Sequence, residues 1–291
     1  MALPTTAACD AVIPQFTTPV RTAIRYLAGK KEGLREFSAI CKQYVDACLS
    51  LQSLVFEPTF SDTDRQEALS RVVLLVATDG RPYCHGFKLG GFVVTAAHCI
   101  SDLPEGEDIN IRSIASPAVS PFKPVLTGPK KGPSFGNGDY ALLRAQDPLV
   151  VTTDEDRAWL GSPIMNKRML IPQVNSYRLI SSGFQTAPDL TALLSFEDNP
   201  LCKASGVSAD GFILDGCQSA EGTSGTPYLQ KDTSGHLRLV GIHSGETSGL
   251  SDGSLAGCAT ALANYGVAVP YRLFIRAMGE AVPGSDESQQ K

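Results

Sequence analysis

From residue 71 onward the chain consists of short apolar segments that are separated by turns rich in glycine and proline. The first segment, Val72–Val76, is an apolar run rich in β-branched residues that ends at the turn Thr78–Pro82. Similar segments follow at Tyr83–Leu89, Gly91–Thr95, Asp108–Ser113, Tyr140–Arg144, Ser176–Ser181, Gly211–Leu214, Thr226–Gln230, Leu237–His243 and Tyr265–Val269. Short strands at regular spacing are typical of sandwiches and barrel pairs, so the pattern predicts an all-β domain over residues 70–280.

The N-terminal part of the chain has a helical pattern instead. Thr18–Pro19 is typical of a helix start, because a capping residue precedes a proline at the first helical position. A one-sided row of apolar side chains predicts a second helix over Leu34–Leu49. Asp62 or Thr63 is predicted to cap a third, short helix that ends at Leu69.

We therefore expect residues 1–69 to form a helical extension without chemistry of its own. The extension is interpreted as a docking or regulatory segment, with a cleavable pro-region as the alternative. At the other end, Val269–Met278 is predicted to be a C-terminal helix, and the polar residues 281–291 are expected to be a disordered tail.

The composition excludes several classes of function. The chain has 291 residues, 43% of them hydrophobic, and a formal net charge of −5, which gives no electrostatic basis for binding nucleic acid or an anionic membrane surface. No apolar run approaches the roughly 18 residues that cross a bilayer, and no secretory signal is evident. A cytoplasmic location is expected, with secretion as the alternative. The eight cysteines form no CxxC pair and the sequence has no cluster of metal ligands, so no metal site is expected. The chemistry proposed below needs no cofactor, and none is expected.

The stretch Gly216–Pro227 carries the first candidate for chemistry. Ser224 lies between Gly222 and Gly225, and glycine permits a positive φ that other residues rarely adopt. Such a bend can expose the hydroxyl and turn successive backbone N–H groups toward one point, as a nucleophile and its oxyanion hole require. By itself the stretch is weak evidence, because Gly/Ser/Thr runs are most often plain turns.

Two further segments contain the residue types that such a serine needs. His98 follows the apolar segment Gly91–Thr95, and Asp139 comes directly before the segment Tyr140–Arg144. Alone, a histidine at the end of a strand is more often a core residue, and an aspartate before a strand is more often a turn residue. Their order with Ser224 along the chain makes the combination far more specific than any single match.

The segments Thr95–Cys99, Gly138–Leu143 and Gly222–Pro227 together resemble the chymotrypsin-like serine proteases, which carry the three motifs in this order. The resemblance covers about residues 70–278 and implies a double β-barrel with a C-terminal helix. It also implies a serine endopeptidase that acts on a protein or peptide substrate.

By this resemblance Ser224 is the nucleophile, His98 is the general base and Asp139 orients the imidazole. The backbone N–H groups of Gly222 and Ser224 are expected to form the oxyanion hole. Thr223 stands where the digestive members carry the aspartate that receives a newly cut N-terminus, so we expect this activation switch to be absent.

The resemblance further implies two disulfides under oxidising conditions. Cys84 is expected to pair with Cys99 beside the histidine, and Cys217 is expected to pair with Cys258 between the nucleophile loop and the pocket wall. In a reducing cytosol the four residues would be free thiols.

The substrate pocket is predicted from the segment Leu239–Glu246. Its Gly-Ile-His sequence is similar to that of glutamyl endopeptidases and of viral 3C-like proteases, which implies that His243 reaches into the primary pocket. Ser219 is expected to donate a second hydrogen bond there, and Ser244 is expected to line the triad. A purely structural role for His243 is the alternative.

The resemblance thus predicts cleavage after Glu, with Gln second. Gln218 stands where trypsin-like enzymes carry an acid, so a preference for Arg or Lys is not expected. Glu246 would oppose an acidic substrate if it pointed inward. The most favoured function is a regulated intracellular protease, and the alternative is an inactive protease-like module that docks a partner through its N-terminal helices.

Overall fold

The computed structural model describes residues 60–101, 103, 107–114, 116, 118–128, 138–147, 149–165, 167–174, 194–197, 202–207, 211–215, 217, 222–246 and 264–279. The helices predicted before residue 60, the strand predicted at Ser176–Ser181 and the tail predicted at 281–291 lie outside these residues.

The described chain begins with helix α1 (Asp62–Arg71), which starts from a capping box. The Ser61 hydroxyl accepts the Asp64 N–H at 3.2 Å, and the Asp64 carboxylate accepts the Ser61 N–H at 2.6 Å. The predicted cap at Asp62 or Thr63 is therefore wrong, because Ser61 satisfies the free N–H groups of the first turn. The helix continues to Arg71, so the predicted division after residue 69 falls inside it.

Within the described residues, thirteen strands follow α1. They are β1 (Val72–Val76), β2 (Pro82–Leu89), β3 (Phe92–Thr95), β4 (Ile109–Ser113), β5 (Val119–Thr127), β6 (Ala141–Ala145), β7 (Ile171–Val174), β8 (Leu194–Glu197), β9 (Ala204–Val207), β10 (Phe212–Asp215), β11 (Pro227–Lys231), β12 (Leu237–Glu246) and β13 (Asn264–Ala268). The predicted all-β character is confirmed. The sequence pattern does not predict strands β5, β7, β8 and β9 or the short helix α2 (Asp154–Ala158).

Strands β1 to β6 form a closed barrel in the order β1-β2-β3-β6-β5-β4, with every neighbouring pair antiparallel. All five residues of β1 are buried, which agrees with its uninterrupted apolar sequence. Because β3 pairs with β6 over Phe92–Thr95, the ends of these two strands lie side by side at one rim of the barrel.

The remaining strands form a five-stranded sheet, β11-β12-β13-β10-β9, and a separate pair, β7-β8. An isolated bridge between Leu170 and Leu229 connects the start of β7 to β11. Closure of a second barrel stays a prediction.

The C-terminal helix is confirmed as α3 (Tyr271–Gly279), with Phe274 and Met278 buried in the main core. It begins two residues later than predicted, directly after Pro270. No helix among the described residues combines the length and the apolar character that a membrane crossing demands.

Two ion pairs attach α1 to the strands around it. Arg71 Nη1 lies 2.8 Å from Asp156 Oδ1 of α2, and its guanidinium lies 4.8 Å from the ring centroid of Trp159. At the other end of α1, Asp64 Oδ2 lies 2.8 Å from Lys231 Nζ at the end of β11. The helix thus contacts a strand of the five-stranded sheet as well as the segment after the barrel.

Candidate active site

His98 and Asp139 meet at the rim of the barrel where β3 and β6 end. A 3₁₀ turn over Ala97–Ile100 follows β3 and carries His98, and Asp139 lies two residues before β6. The ring Nδ1 of His98 is 2.7 Å from Asp139 Oδ2, and the backbone N–H of His98 donates to Asp139 Oδ1 at 2.8 Å. The structure therefore brings the predicted base and its orienting acid together.

The state of Asp139 determines the tautomer of His98. Burial of the Asp139 carboxyl raises its pKa, but the hydrogen bonds from His98 and the attraction of its ring outweigh burial, so the pKa is lowered overall. An ionised carboxylate can only accept hydrogen bonds, so Nδ1 of His98 must carry the proton. The Nε2 atom of His98 is then left with a lone pair, as a general base requires.

Ser244 lies close to this carboxylate. The Ser244 hydroxyl contributes to lowering the pKa of Asp139. By distance and angle, however, its buried Oγ has no hydrogen-bond partner among the described residues. Because the geometry of a hydrogen bond is not met, Ser244 is a polar neighbour of Asp139 and not a bonded one. Ser244 is thus a neighbour of Asp139, and its predicted role in lining a catalytic triad stays a prediction.

The nucleophile loop has the backbone that its glycines predict. Gly222 has a φ of 84° and Gly225 a φ of 80°. The N–H of Gly225 donates to the carbonyl of His243 at 2.8 Å, and the N–H of Thr226 donates to the carbonyl of Thr223 at 3.0 Å. A side chain at position 225 would collide with the carbonyl oxygen of His85, so only glycine fits there.

Two backbone N–H groups of this loop are unpaired. Within the part of the chain that the structure describes, the N–H groups of Gly222 and Ser224 have no hydrogen-bond acceptor, and both residues are only half-buried. Because both residues are half-exposed, these N–H groups are open to water or to a substrate oxygen as an acceptor. These are the two groups predicted to form the oxyanion hole.

The loop lies against the barrel beside His98. The Ser224 carbonyl accepts the N–H of His85 on β2 at 2.8 Å, and the Gly225 backbone lies next to the Thr95 side chain at the end of β3. No hydrogen bond joins Ser224 Oγ to the ring of His98 among the described residues. The catalytic contact between these two side chains therefore stays a prediction.

His243 on β12 is buried and held by Tyr228 on β11. The Tyr228 hydroxyl lies 2.9 Å from His243 Nδ1, and Nε2 has no hydrogen-bond partner among the described residues. Burial, with smaller contributions from His85 and His98, lowers the pKa of His243 to about 3. The imidazole is thus neutral at physiological pH, and a protonated His243 is disfavoured.

Asp215 at the end of β10 lies behind Tyr228 and is fully buried. Burial raises the pKa of Asp215 to about 7, while the nearby Tyr228 hydroxyl and the Cys217 N–H oppose this rise. The Cys217 N–H donates to Asp215 Oδ1 at 2.9 Å, whereas by distance and angle Oδ2 has no hydrogen-bond partner among the described residues, so Tyr228 is a polar neighbour of Asp215 and not a bonded one. The sequence does not identify Tyr228 or Asp215, because their positions depend on strand pairing. Strand β11 with Tyr228 pairs directly with β12, which carries His243, and β13 lies between β12 and β10, which carries Asp215.

The remaining pocket predictions concern residues that are not described. Ser219 and Gln218 lie outside the described residues, and so does the side chain of Glu246. Their roles stay predictions. Thr223, by contrast, is buried, and its carbonyl accepts the Thr226 hydroxyl at 2.5 Å.

One of the two predicted disulfides is confirmed. Cys84 pairs with Cys99, with the two Cα atoms 6.1 Å apart. The predicted pair of Cys217 with Cys258 is wrong, because Cys217 is bonded to Cys202. Cys202 precedes β9 and Cys217 follows β10, and these antiparallel neighbours bring the two residues together.

The sulfur atoms of Cys84 and Cys99 also lie within 4.8 Å of a ring nitrogen of His98. This grouping resembles a metal site by distance, but both sulfurs are joined in the disulfide. Metal ions bind thiolates, so a metal fits this cluster only after reduction. With the disulfide intact, the two sulfurs are neighbours of His98 and not metal ligands.

Several solved protease structures are similar to this chain in fold. A catalytically inactive tobacco etch virus protease in complex with substrate is 18% identical, covers 76% of this chain and 88% of its own, and has a TM-score of 0.46. The tobacco vein mottling virus protease is 15% identical, with coverages of 79% and 88% and a TM-score of 0.45. A serine protease of a human pathogenic astrovirus is 14% identical, with coverages of 69% and 90% and a TM-score of 0.39.

These likenesses are too distant for us to transfer a substrate or a mechanism. No match was found among curated proteins. The family model named Trypsin, in contrast, matches residues 61–269, which is most of the chain and includes α1 and both halves of the fold. The chain therefore belongs to the trypsin family.

Proposed function

We propose that the protein is a serine endopeptidase that hydrolyses peptide bonds through an acyl-enzyme formed on Ser224. The observation that supports it best is the 2.7 Å contact between His98 Nδ1 and Asp139 Oδ2 at the rim against which the glycine-flanked Ser224 loop lies. This contact leaves Nε2 of a neutral His98 ring with a lone pair that can accept a proton. Membership of a protease family agrees with this chemistry.

In the proposed reaction Ser224 Oγ attacks the carbonyl carbon of the substrate while its proton passes to His98 Nε2. The imidazolium that forms is stabilised by the ionised Asp139, which does not itself take up the proton. The same proton then passes to the leaving amine, the C–N bond breaks, and the acyl-enzyme remains. Water, deprotonated by His98, releases the acid and regenerates the Ser224 hydroxyl.

Negative charge develops on the substrate oxygen during both attacks. The unpaired N–H groups of Gly222 and Ser224 provide two donors for this charge, and removing one such donor costs about 10²- to 10³-fold in rate. Since both donors belong to the backbone, the geometry of the loop determines their effectiveness.

For the primary pocket we propose a preference for substrates in which the residue before the cut has a side chain that accepts a hydrogen bond. A neutral His243 whose Nδ1 is engaged by Tyr228 can present an N–H at Nε2 when the Tyr228 hydroxyl donates to Nδ1. That N–H can donate to the uncharged amide oxygen of a substrate Gln. A Glu carboxylate would be buried against an uncharged donor, so we now place Gln ahead of Glu, the reverse of the order expected from the sequence.

Labelling with a fluorophosphonate probe tests the proposed activity. We expect the wild type to be labelled and Ser224→Ala to be unlabelled, with the same thermal unfolding temperature. A Ser224→Ala variant that cleaved casein at the wild-type rate would refute the assignment of the nucleophile. Cleavage of a peptide library then tests the pocket, and a preference for Arg or Phe before the cut would refute the Gln/Glu proposal.

An inactive, protease-like binding module is the second candidate. It is favoured by one observation, the lack of a hydrogen bond between Ser224 Oγ and His98 in the described residues. Catalytic hydrogen bonds are often long before substrate binds, so this observation does not outweigh the intact set of residues. Failure of the folded wild type to react with the fluorophosphonate would support the binding module.

We further propose that residues 1–59 regulate the enzyme. A location inside the cell stays a prediction, and the disulfides Cys84–Cys99 and Cys202–Cys217 favour an oxidising compartment instead. Deletion of residues 1–69 is unsuitable as a test, because it would remove most of α1 with its buried Ala68, and also the buried Phe60 that precedes the helix. A chain that begins at residue 60 retains these contacts. Peptidase activity that rises on this shorter deletion would support autoinhibition, and unchanged activity would argue against it.

A further inference from the structure

We propose that His85 is a positioning residue that holds the oxyanion loop in its catalytic conformation. The inference rests on the proposed function, since it concerns the same loop. His85 lies on β2 of the barrel, one residue after Cys84, and is only 1% exposed. It is thus a buried, titratable side chain that the proposed reaction does not use.

The ring of His85 connects two segments that are remote in sequence. Its Nδ1 atom lies 2.8 Å from the carbonyl oxygen of Gly222 in the nucleophile loop. The backbone N–H of Val174, at the end of β7, lies 3.0 Å from its Nε2 atom. One imidazole therefore joins the barrel, the nucleophile loop and the β7-β8 pair.

These two partners fix the tautomer. The Val174 N–H can only donate, so Nε2 of His85 must accept and carries no proton. The Gly222 carbonyl can only accept, so Nδ1 must donate. Both bonds are satisfied at once only by the neutral Nδ1–H form, and the two contacts make that form the stable one. No charge is available from this ring for the reaction, so its contribution is positional.

The backbone of His85 also bonds to the nucleophile loop, at Ser224. The His85 N–H donates to the carbonyl of Ser224 at 2.8 Å, and the His85 carbonyl accepts the Thr95 hydroxyl at 2.7 Å. His85 therefore fixes the peptide after Gly222 with its side chain and the peptide after Ser224 with its backbone. The peptide that carries the Ser224 N–H lies between these two.

Gly222 needs such a restraint. It has a φ of 84° and no side chain, so its backbone has access to orientations that other residues cannot adopt. The peptide that follows it links the two N–H groups that we assign to the oxyanion hole, so rotation of that peptide would change how these two groups are oriented relative to each other. The hydrogen bond from His85 Nδ1 opposes that rotation directly, because it ends on the carbonyl of Gly222.

Two matched substitutions separate the two bonds of the ring. In His85→Asn the amide nitrogen is as many bonds from Cβ as Nδ1 is, so it can still donate to Gly222 while the bond from Val174 is lost. In His85→Gln the amide oxygen is as far from Cβ as Nε2 is, so it can still accept from Val174 while the bond to Gly222 is lost. Each variant keeps both backbone bonds.

We expect His85→Gln to lower kcat by about 10-fold or more with KM unchanged, less than the loss of a complete oxyanion donor. A peptide aldehyde ending in Gln, whose hemiacetal oxygen occupies the oxyanion site, should lose affinity in parallel with kcat. We expect His85→Asn to retain kcat within about 3-fold of the wild type while unfolding at a lower temperature. Equal kcat in the two variants, or a fall in kcat that follows only the loss of stability, would overturn the proposal.

A measurement on the loop itself keeps this test separate from the test of the proposed function. In ¹⁵N spectra of the full chain, we expect single amide signals for Gly222 and Ser224 in the wild type and in His85→Asn. In His85→Gln these signals should be broadened or doubled, even if no variant hydrolyses peptides. Identical signals in both variants would overturn the role of His85, whereas absent fluorophosphonate labelling of the wild type would overturn the protease.

If either variant fails to fold, His85→Gly removes the ring and retains both backbone bonds. We expect this variant to lose kcat as His85→Gln does and to regain part of it when imidazole is added. A His85→Gly variant with wild-type kcat, or one that imidazole does not restore, would count against the proposal.

Discussion

His98 is bonded twice to the carboxylate of Asp139, through its ring Nδ1 at 2.7 Å and through its backbone N–H at 2.8 Å. In Asp139→Asn the backbone bond can persist, because an amide oxygen still accepts it. The amide nitrogen, however, then faces Nδ1 and favours the tautomer whose proton is on Nε2. We expect kcat to fall by about 10⁴-fold with little change in stability.

The comparison requires kcat and the unfolding temperature of Asp139→Asn beside those of the wild type. Ser224→Ala sets the background rate. Hydrolysis by Asp139→Asn within about 10-fold of the wild type would show that Asp139 does not orient the base.

Tyr228 and His243 provide a second test, because their 2.9 Å contact defines which ring nitrogen of His243 is free. In Tyr228→Phe the ring of His243 loses its hydrogen-bond partner at Nδ1. The proton of the neutral ring can then lie on either nitrogen, so Nε2 no longer always carries an N–H. We expect the kcat/KM ratio for peptides with Gln over Ala before the cut to fall by about 10-fold, the equivalent of one neutral hydrogen bond. Fluorophosphonate labelling of Ser224 should continue at the wild-type rate, and an unchanged Gln/Ala ratio would exclude this role for Tyr228.

The sequence predicted most of the barrel because its strands are buried and apolar. All five residues of β1 are buried, and such a run is recognisable without neighbours. Strand β5 could not be predicted, since Phe122 is its single fully buried residue and two prolines, Pro121 and Pro124, interrupt its pattern. It is a strand because β4 and β6 pair with it on either side.

In the candidate site, too, residues in local motifs could be predicted, whereas contacts that depend on strand pairing could not. His98 and Asp139 were identifiable because each lies in a local motif, and their contact confirms that the motifs meet in space. The partner of Cys217 was predicted wrongly, because it depends on the pairing of β10 with the unpredicted strand β9. His85 has no motif, and its importance arises from bonds to Gly222 and Val174 that only the folded chain forms.

A third prediction concerns the stability of the fold in acid. Burial lowers the pKa of His85 from 6.5 to about 4. The unfolded chain therefore binds a proton at this residue at higher pH than the folded chain does, and the stability that His85 contributes falls as the pH drops from 6.5 toward 4. Between about pH 8 and pH 5 we expect a loss of about 2 kcal/mol from this residue.

The quantity to measure is the free energy of unfolding of the wild type minus that of His85→Gln, at about pH 8 and pH 5. Burial raises the pKa of Asp215 to about 7, so this carboxyl contributes with the opposite sign: its stabilisation is lost as the pH rises toward 7. The subtraction removes that contribution, because both proteins contain Asp215. A difference that does not change with pH would show that His85 titrates normally in the folded chain.

The last prediction concerns the two ion pairs of α1, whose cations differ in exposure and in distance from an aromatic ring. The side chains of Arg71 and Asp156 are 20% and 12% exposed, and those of Lys231 and Asp64 are 28% and 13% exposed. Arg71→Met leaves the buried Asp156 carboxylate without its cation and removes the contact with Trp159, so we expect a loss of about 2 kcal/mol in the free energy of unfolding. Lys231→Met is the matched control, and we expect a smaller loss of about 1 kcal/mol, because the Lys231 ammonium is more exposed than the Arg71 guanidinium and lies farther from its ring, 5.9 Å from the centroid of Phe60.

Urea denaturation near neutral pH measures both losses, and Arg71→Met with Asp156→Asn completes a double-mutant cycle. If an unpaired charge is the main cost, the double variant should be more stable than Arg71→Met alone, since the introduced asparagine amide is cheaper to bury than a carboxylate. If the loss of stability in the double variant equals the sum of the losses in the two single variants, Arg71 stabilises the fold by packing on Trp159 and not through Asp156. Peptidase activity should follow stability in every variant, because no residue of this cluster belongs to the candidate active site.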